Sequence, residues 1–287
     1  MRRIDSGNLI LMVVIMKRYR FNVNKSWGRA KARKAIPLFA SFFLAHFALP
    51  AGNLGEKQNM SVHAVNPETL RFLNFELDML KIYEDAGLAA AGLNLEVFNK
   101  AMVGYLNLKQ QGVLSGKKII TIADFDQPSA QKRLWVIDIE GRKLLFHSLV
   151  AHGKNSGNAM AEEFSNTPFS EMSSLGFYVT QSTYTGKHGL SLKLEGMDKN
   201  FNTNAAKRCV VVHGADYVSE DFIKQNGRLG RSQGCPALPM DSHEAIIDTI
   251  KDQTVLYLHS ADAGYYSSLL DTKVAMETYY NNTWQIS

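Results

Sequence analysis

"RLWVIDIEGRKLLFHSLVA" (residues 133–151) carries aliphatic, aromatic and β-branched side chains on both sides of Gly141-Arg142. Two such runs joined by a glycine-containing pair read as a β-hairpin turning at Gly141. Runs of the same kind recur outward from it: "KKIITIADF" (117–125) upstream, then "LGFYVT" (175–180), "LSLKLEG" (190–196), "KRCVVVHG" (207–214) and "TVLYLHS" (254–260). "QSTYTGKHG" (181–189) reads as a further hairpin tip. One helix interrupts, around "DSHEAIIDTIKD" (241–252), with Asp241 or Ser242 as its cap. Residues 113–262 are therefore expected to form a mainly β domain of α+β class.

The period changes ahead of residue 113. "PETLRFLNFELDMLKIYEDAGL" (67–88) has the apolar density of a buried helix, opened by Pro67 and Glu68. "NLEVFNKAMVGYLNLKQQG" (94–112) offers Asn94 as N-cap, a stripe of Phe98, Ala101, Met102, Tyr105 and Leu106, and Gly112 to end it. Together with the polar stretch 52–66 they make a linker and short helical region, 52–112, in front of the β domain. Residues 263–287 read as a tail. "NNT" (281–283) fits a glycosylation acceptor but is read as part of it.

The formal charge of +5 is concentrated at one end. Residues 1–34 hold ten Lys and Arg against one acidic residue, Asp5, and residues 35–51 hold no charged side chain. Residues 52–287 carry 22 basic and 26 acidic residues, a net of −4, so the charge gives no basis for nucleic-acid binding. The head instead has the layout of an export segment. "KRYRFNVNKSWGRAKARK" (17–34) is a basic n-region, and "AIPLFASFFLAHFALPA" (35–51) is a 17-residue apolar stretch ending in small residues. Cleavage is expected after Ala48 or Ala51, with a retained membrane anchor as the alternative. Residues 1–15 read as lying upstream of the start, with Met16 as initiator. The expectation is a protein exported to the periplasm or cell envelope.

"RLGRSQGCPALP" (228–239) holds the chemistry. A structural cysteine sits in an apolar strand or helix, whereas Cys235 sits in a polar bend between Gly234 and Pro236. Cysteine catalysis needs a thiolate, a base that takes its proton, and donors for the oxyanion formed on attack at a carbonyl. Gly234 lets successive amides turn toward one point. Arg231 adds positive charge. His213, at the end of "CVVVHG", is the base candidate, and the Gly214 carbonyl can hold the ring by accepting from its other nitrogen.

His213-Gly214, a loop, then Ser232-x-Gly234-Cys235 resembles the H-G…S-H-G-C signature of YkuD-type L,D-transpeptidases. "IADFDQPSAQKRLWVID", "LVAHGKNSG", "FSNTPFS" and "GRSQGCPALP" are similar to its murein L,D-transpeptidase branch, over roughly residues 95–260. The resemblance implies a β-sandwich-like catalytic domain with Cys235 as nucleophile, His213 as base and Gly214 as the carbonyl orienting it. The amides of Gly234 and Cys235 would form the oxyanion hole. Arg231, Ser232, Gln233, Tyr184, His188 and His152 would line the substrate groove. It implies acyl transfer on peptidoglycan stem peptides without a metal or cofactor: a thioester forms, D-Ala leaves, and an amine resolves the thioester into a crosslink. Water as acceptor would make the enzyme an L,D-carboxypeptidase, and loss of turnover would leave a wall-binding module. Gln233 replaces the signature's histidine, and Pro236-Ala237 replace its hydrophobic-Arg/Asn pair. Arg231 has two readings, a partner for the donor's carboxylate or a support for the loop. Oligomeric state is not legible.

Three other readings compete. Cys209 could pair with Cys235 in a disulfide. On an extended strand, however, Cys209 would lie about 13 Å from His213, beyond the roughly 7 Å Cα separation that a bridge spans. Bridge and dyad then exclude each other, with Cys209 expected as a core-facing strand residue distant from Cys235, and the side chains of His213 and Cys235 converging. His147, His152, His188 and His213 could ligate zinc, but no H-E-x-x-H spacing is present. Ser115-x-x-Lys118, Ser156-x-Asn158 and Lys187-His-Gly189 faintly match a serine D,D-peptidase, but Ser115 precedes a strand instead of opening a helix. Tyr178 is read as an ordinary strand aromatic.

Overall fold

The chain divides into two units, residues 1–63 and 64–287, the second of them compact. The computed structural model describes residues 66–262 and 264–281, all in the second unit, so the export-type head lies outside the described residues. Among the described residues no helix is long and apolar enough to cross a membrane.

Helix α1 (Pro67–Asp85) starts where expected, with Asn66 Oδ1 accepting from Glu68 N–H at 3.0 Å and Pro67 in the first turn. Helix α2 (Leu95–Gln110) is capped by Asn94, which accepts from Glu96 N–H at 2.7 Å. The chain leaves it through Gly112 at φ +70°. The expected stripe of α2 is buried, and so are Val97, Val103, Gly104, Asn107 and Leu108. A helix covered on this many sides is a core helix rather than a surface one.

Eight strands follow: β1 (Ile119–Asp124), β2 (Leu134–Asp138), β3 (Lys143–Ser148), β4 (Gly176–Gly186), β5 (Gly189–Gly196), β6 (Val211–Gly214), β7 (Ala237–Leu238) and β8 (Val255–His259). They form one mixed sheet in the order β3-β2-β1-β8-β4-β5-β6-β7. Most neighbours are antiparallel; β1–β8 and β6–β7 are parallel. The sheet is buried on both faces, which is why its strands read as near-continuous apolar runs. Trp135, Ile137, Phe177, Val179 and Tyr257 pack with α1, α2 and helix α5 (Thr272–Asn281). Leu134, Val136, Tyr178, Leu192, Leu256 and Leu258 pack on the other side with Ile246, Ile247 and Ile250 of helix α4 (His243–Ile250). The helices in front of residue 113 thus share a core with the sheet.

The hairpin of β2 and β3 turns as expected, but Arg142, not Gly141, takes the positive φ of 49°. Gly141 is needed for close approach instead, since a Cβ there would collide with the Asp138 carboxylate that accepts its N–H. The two-residue strand β7 and two helices were not legible beforehand. Helix α3 (Glu220–Asn226) folds inside the long loop between His213 and Ser232, capped by Ser219 and closed by Gly227 at φ +71°. Helix α5 lies in the stretch read as a tail.

Candidate active site

β6 and β7 create the site. His213 pairs with Ala237 in the parallel register, so the segment entering β7 brings Cys235 alongside β6. The His213 ring is almost fully buried, and its Nδ1 lies 2.8 Å from the Gly214 carbonyl. A carbonyl can only accept, so Nδ1 carries the proton and Nε2 is left as the basic nitrogen. Burial holds the imidazole below its ordinary pKa; the Gly214 bond opposes this, and His188, His243 and Lys187 push it further down. Gly214 must be glycine for a steric reason: a Cβ would stand 2.7 Å from His243 Cγ and from Met240 Sδ.

The Cys235 thiol makes its hydrogen bonds to backbone groups. Its Sγ accepts from Val211 N–H at 3.5 Å and donates to the Cys209 carbonyl at 3.7 Å. Val211 is two residues before His213 on β6, so the thiol sits against the strand that carries the histidine. Burial pushes the thiol pKa up, while the Val211 N–H, Arg208 and Lys187 pull it down. Sulfur and imidazole are therefore both biased to their neutral forms.

The expectation for Cys209 is corrected. It is exposed and carries φ +54°, so it ends a turn and does not lie in a core strand; β6 begins only at Val211. The left-handed residue bends the chain and aims the Cys209 carbonyl at Cys235. The separation expected for an extended strand does not apply. Both cysteines are free.

Other residues also take places different from those expected. Ser232 is buried and its hydroxyl closes the nucleophile turn, donating to Cys235 O at 2.6 Å and accepting from Gly234 N–H at 3.0 Å. Ser232 is thus a support rather than a groove residue, and the Gly234 amide is already engaged instead of free for an oxyanion. Gly234 itself, at φ +118°, lies where a Cβ would meet Met172 O at 2.7 Å. Arg231 donates to Lys154 O, Gly157 O and Asn158 Oδ1 at 2.8–3.0 Å, which settles it as a loop support. The His152 ring is fully buried, its Nδ1 accepting from Arg133 at 2.8 Å, so it cannot line a groove. Its backbone carbonyl instead accepts from Ser232 N–H at 3.0 Å.

Gln233 is exposed two residues before Cys235. His188, at the tip of the β4–β5 hairpin, stacks on His213 with ring centroids 4.5 Å apart. Tyr184, Ser191 and His213 fall in one register row across β4, β5 and β6, with Tyr184 40% exposed. Tyr178 is a buried strand residue whose hydroxyl donates to Ser174 O. The serine rival has no assembled site: Ser115 bonds Gln253 and Lys117, and Ser156 is buried against Ser173 N–H.

Arg208 was missed. Its guanidinium donates to Ser165 O and Met172 O at 2.6 Å, to Ser170 Oγ at 3.1 Å and to Ser174 Oγ, stitching the 165–174 loop beside the thiol. A Cβ on Gly234 would stand 3.1 Å from Arg208 Nη2, which places this charge against the nucleophile turn. An arginine bordering a strand has no spacing signature that marks it. Among the described residues, one group could hold a metal ion, Asp124, Asp126 and His259, with ligand atoms within 4.8 Å of one another. Its carboxylates already accept from Asp126 N–H, Gln127, Ser260 and Ala261.

The sequence pattern of the L,D-transpeptidase catalytic domain matches residues 89–259, more than half of the chain. No curated protein matches. Solved structures that resemble the fold include an L,D-transpeptidase from Mycobacterium smegmatis, 13% identical, at a TM-score of 0.32 over 50% of this chain and 59% of that one. An L,D-transpeptidase from Stackebrandtia nassauensis is 18% identical, at a TM-score of 0.28 over 53% and 60%. L,D-transpeptidase 3 from Mycobacterium tuberculosis, in complex with a faropenem-derived adduct, is 11% identical, at 0.31 over 50% and 60%. The chain spans under two thirds of each of these.

Proposed function

The chain belongs to the L,D-transpeptidase catalytic domain family, and from that premise we propose that it is an exported cysteine acyltransferase acting on peptidoglycan stem peptides. The observation that supports this reading is the β6–β7 pairing, which brings Cys235 alongside β6, the strand that carries a buried imidazole with its Nδ1 held by the Gly214 carbonyl. Its basic and then apolar head, ahead of an acidic remainder, supports export, and so does a substrate found only outside the cytoplasm.

In this mechanism Cys235 rests as a thiol and His213 as a neutral ring. Nε2 of His213 takes the proton as sulfur attacks the carbonyl between the third residue of a donor tetrapeptide stem and its terminal D-Ala. The Cys235 amide faces the developing oxyanion, and the Gly214 carbonyl stabilises the imidazolium. His213 then protonates the departing D-Ala, leaving a thioester. An amine of a second stem resolves it into a crosslink between third residues, with Gln233, Tyr184 and His188 lining the approach.

The test is mass spectrometry of the full chain incubated with a disaccharide tetrapeptide, wild type against Cys235→Ala. The proposal expects a crosslinked dimer that disappears in the variant. Cysteine-dependent tripeptide without dimer would make water the acceptor and the enzyme an L,D-carboxypeptidase. No product from wild type across varied stems would overturn the reading in favour of a wall-binding module.

A further inference from the structure

The nucleophile has a sulfur neighbour that the reaction does not use. Cys235 Sγ lies 3.7 Å from the carbonyl oxygen of Cys209, and covalent geometry alone then puts the Cys209 Cα within about 6 Å of that sulfur. Disulfides join Cα atoms usually about 4.4–6.8 Å apart; adding the Cys235 side chain leaves the two Cα atoms at most about 9 Å apart, so the exposed turn ending at Cys209 has to move inward for the two sulfurs to bond. Cys209 is exposed and Cys235 is recessed against Val211, so a reagent in solution meets Cys209 first. No other described residue offers a thiol, since the chain has two cysteines.

We propose that Cys209 is the entry site for thiol–disulfide exchange with low-molecular-weight disulfides, and that Cys235 resolves the adduct into an intramolecular bridge that switches the enzyme off. The Cys209 thiolate attacks one sulfur of the small disulfide, whose S–S bond breaks and whose other half leaves as a thiolate. Cys235, its proton passed to His213, attacks the Cys209 sulfur and expels the second half. Two protein thiols are oxidised, one small disulfide is reduced to two thiols, and the two protons end on those products. The bridge occupies the sulfur that would attack substrate, so bridge and dyad are alternative states of one residue. The inhibitory consequence rests on Cys235 being the nucleophile; formation of the bridge does not.

The experiment treats the full chain with oxidised glutathione, alkylates the remaining thiols with iodoacetamide and digests with trypsin without reduction. Cleavage after Arg208 and Arg231 places the two cysteines in separate peptides, 209–224 and 232–251. The expected result is those two peptides joined, two glutathiones released per chain, alkylation of Cys235 lost, and all of it reversed by dithiothreitol. In Cys209→Ser, Cys235 is expected to stay alkylatable. A glutathione adduct that persists on Cys209 while Cys235 alkylates normally would overturn the proposal. So would Cys235 in Cys209→Ser acquiring glutathione as fast as wild type loses its thiol. A joined pair in a chain without turnover would sink the acyltransferase reading alone, because the bridge is read by mass and turnover by product.

Discussion

Lowering the pH from 7.5 to 5 should cost the fold about 2 kcal/mol through His152 alone. The ring is fully buried, and burial together with the Arg133 guanidinium donating to Nδ1 at 2.8 Å drives its pKa from 6.5 to about 4. Arg133 is itself fully buried and pushed down to about 9 by burial, yet it stays charged at neutral pH. In the unfolded chain the same imidazole takes a proton near pH 6.5. Acid therefore favours the unfolded state: the stability is complete above that value, falls as pH drops through the window down to about 4, and is flat below it. By pH 5 the window has been crossed for about 1.5 units, at about 1.4 kcal/mol each. His152→Gln keeps an oxygen that can accept from Arg133 and removes the titration. Urea unfolding of both proteins at the two pH values isolates the effect, since His147, His213 and His259, also held low by burial, cancel in the difference. Wild type should lose about 2 kcal/mol more than the variant on acidification, equivalent to a fall in Tm of roughly 4–8 °C for a domain of this size. Equal losses in the two proteins would refute the assignment of a buried, neutral His152.

Three further outcomes can be checked. The acid limb of turnover should lie below the ordinary histidine pKa, because burial lowers that of His213, and activity should fall as pH drops through it; His213→Ala should lower kcat by about 10²–10⁴ and abolish that limb. Arg208→Gln should raise the thiol pKa seen in the pH dependence of Cys235 alkylation, and should destabilise by about 1–3 kcal/mol through Met172 O, left without its donor, whereas Ser165 O keeps the Ser174 hydroxyl. Gly104→Ala drives a Cβ into the Phe177 ring, so thermal unfolding should show a loss of about 1–3 kcal/mol, partly restored in the double variant with Phe177→Leu.

What was legible followed from local rules. Pro67 opens α1 and Asn94 accepts from the N–H two residues on, as a cap does, and the 133–151 hairpin needs only its own composition and a turn. Cys235 and His213 stand out as candidates because a cysteine between Gly234 and Pro236, and a histidine followed by glycine, have few structural uses. The failures came from side chains whose partners lie far along the chain. Nothing near His152 announces that Arg133 will bury against it, and nothing near Arg208 announces the 165–174 loop it holds. Ser232 was taken to face substrate because it sits in the motif, yet a hydroxyl three residues before Cys235 reaches that residue's carbonyl more readily than a ligand. The separation of Cys209 and Cys235 was misjudged through one dihedral: an extended strand was assumed where Cys209 takes φ +54°.

That dihedral also links the two chemistries of Cys235. Burial raises the thiol and lowers the imidazole, and the nearby charges of Arg208 and Lys187 only partly offset the first effect. In the proposed mechanism the proton stays on sulfur at rest, so nucleophilicity appears only as His213 removes it during attack. A thiol kept protonated in this way is slow toward oxidants, since the thiolate is the reacting form. Exposed Cys209 is not shielded by the same burial. Oxidation should therefore start at the cysteine that does no chemistry and reach the nucleophile only through it. Substituting His213 should then slow the second exchange step along with turnover, while the first, at Cys209, proceeds unchanged.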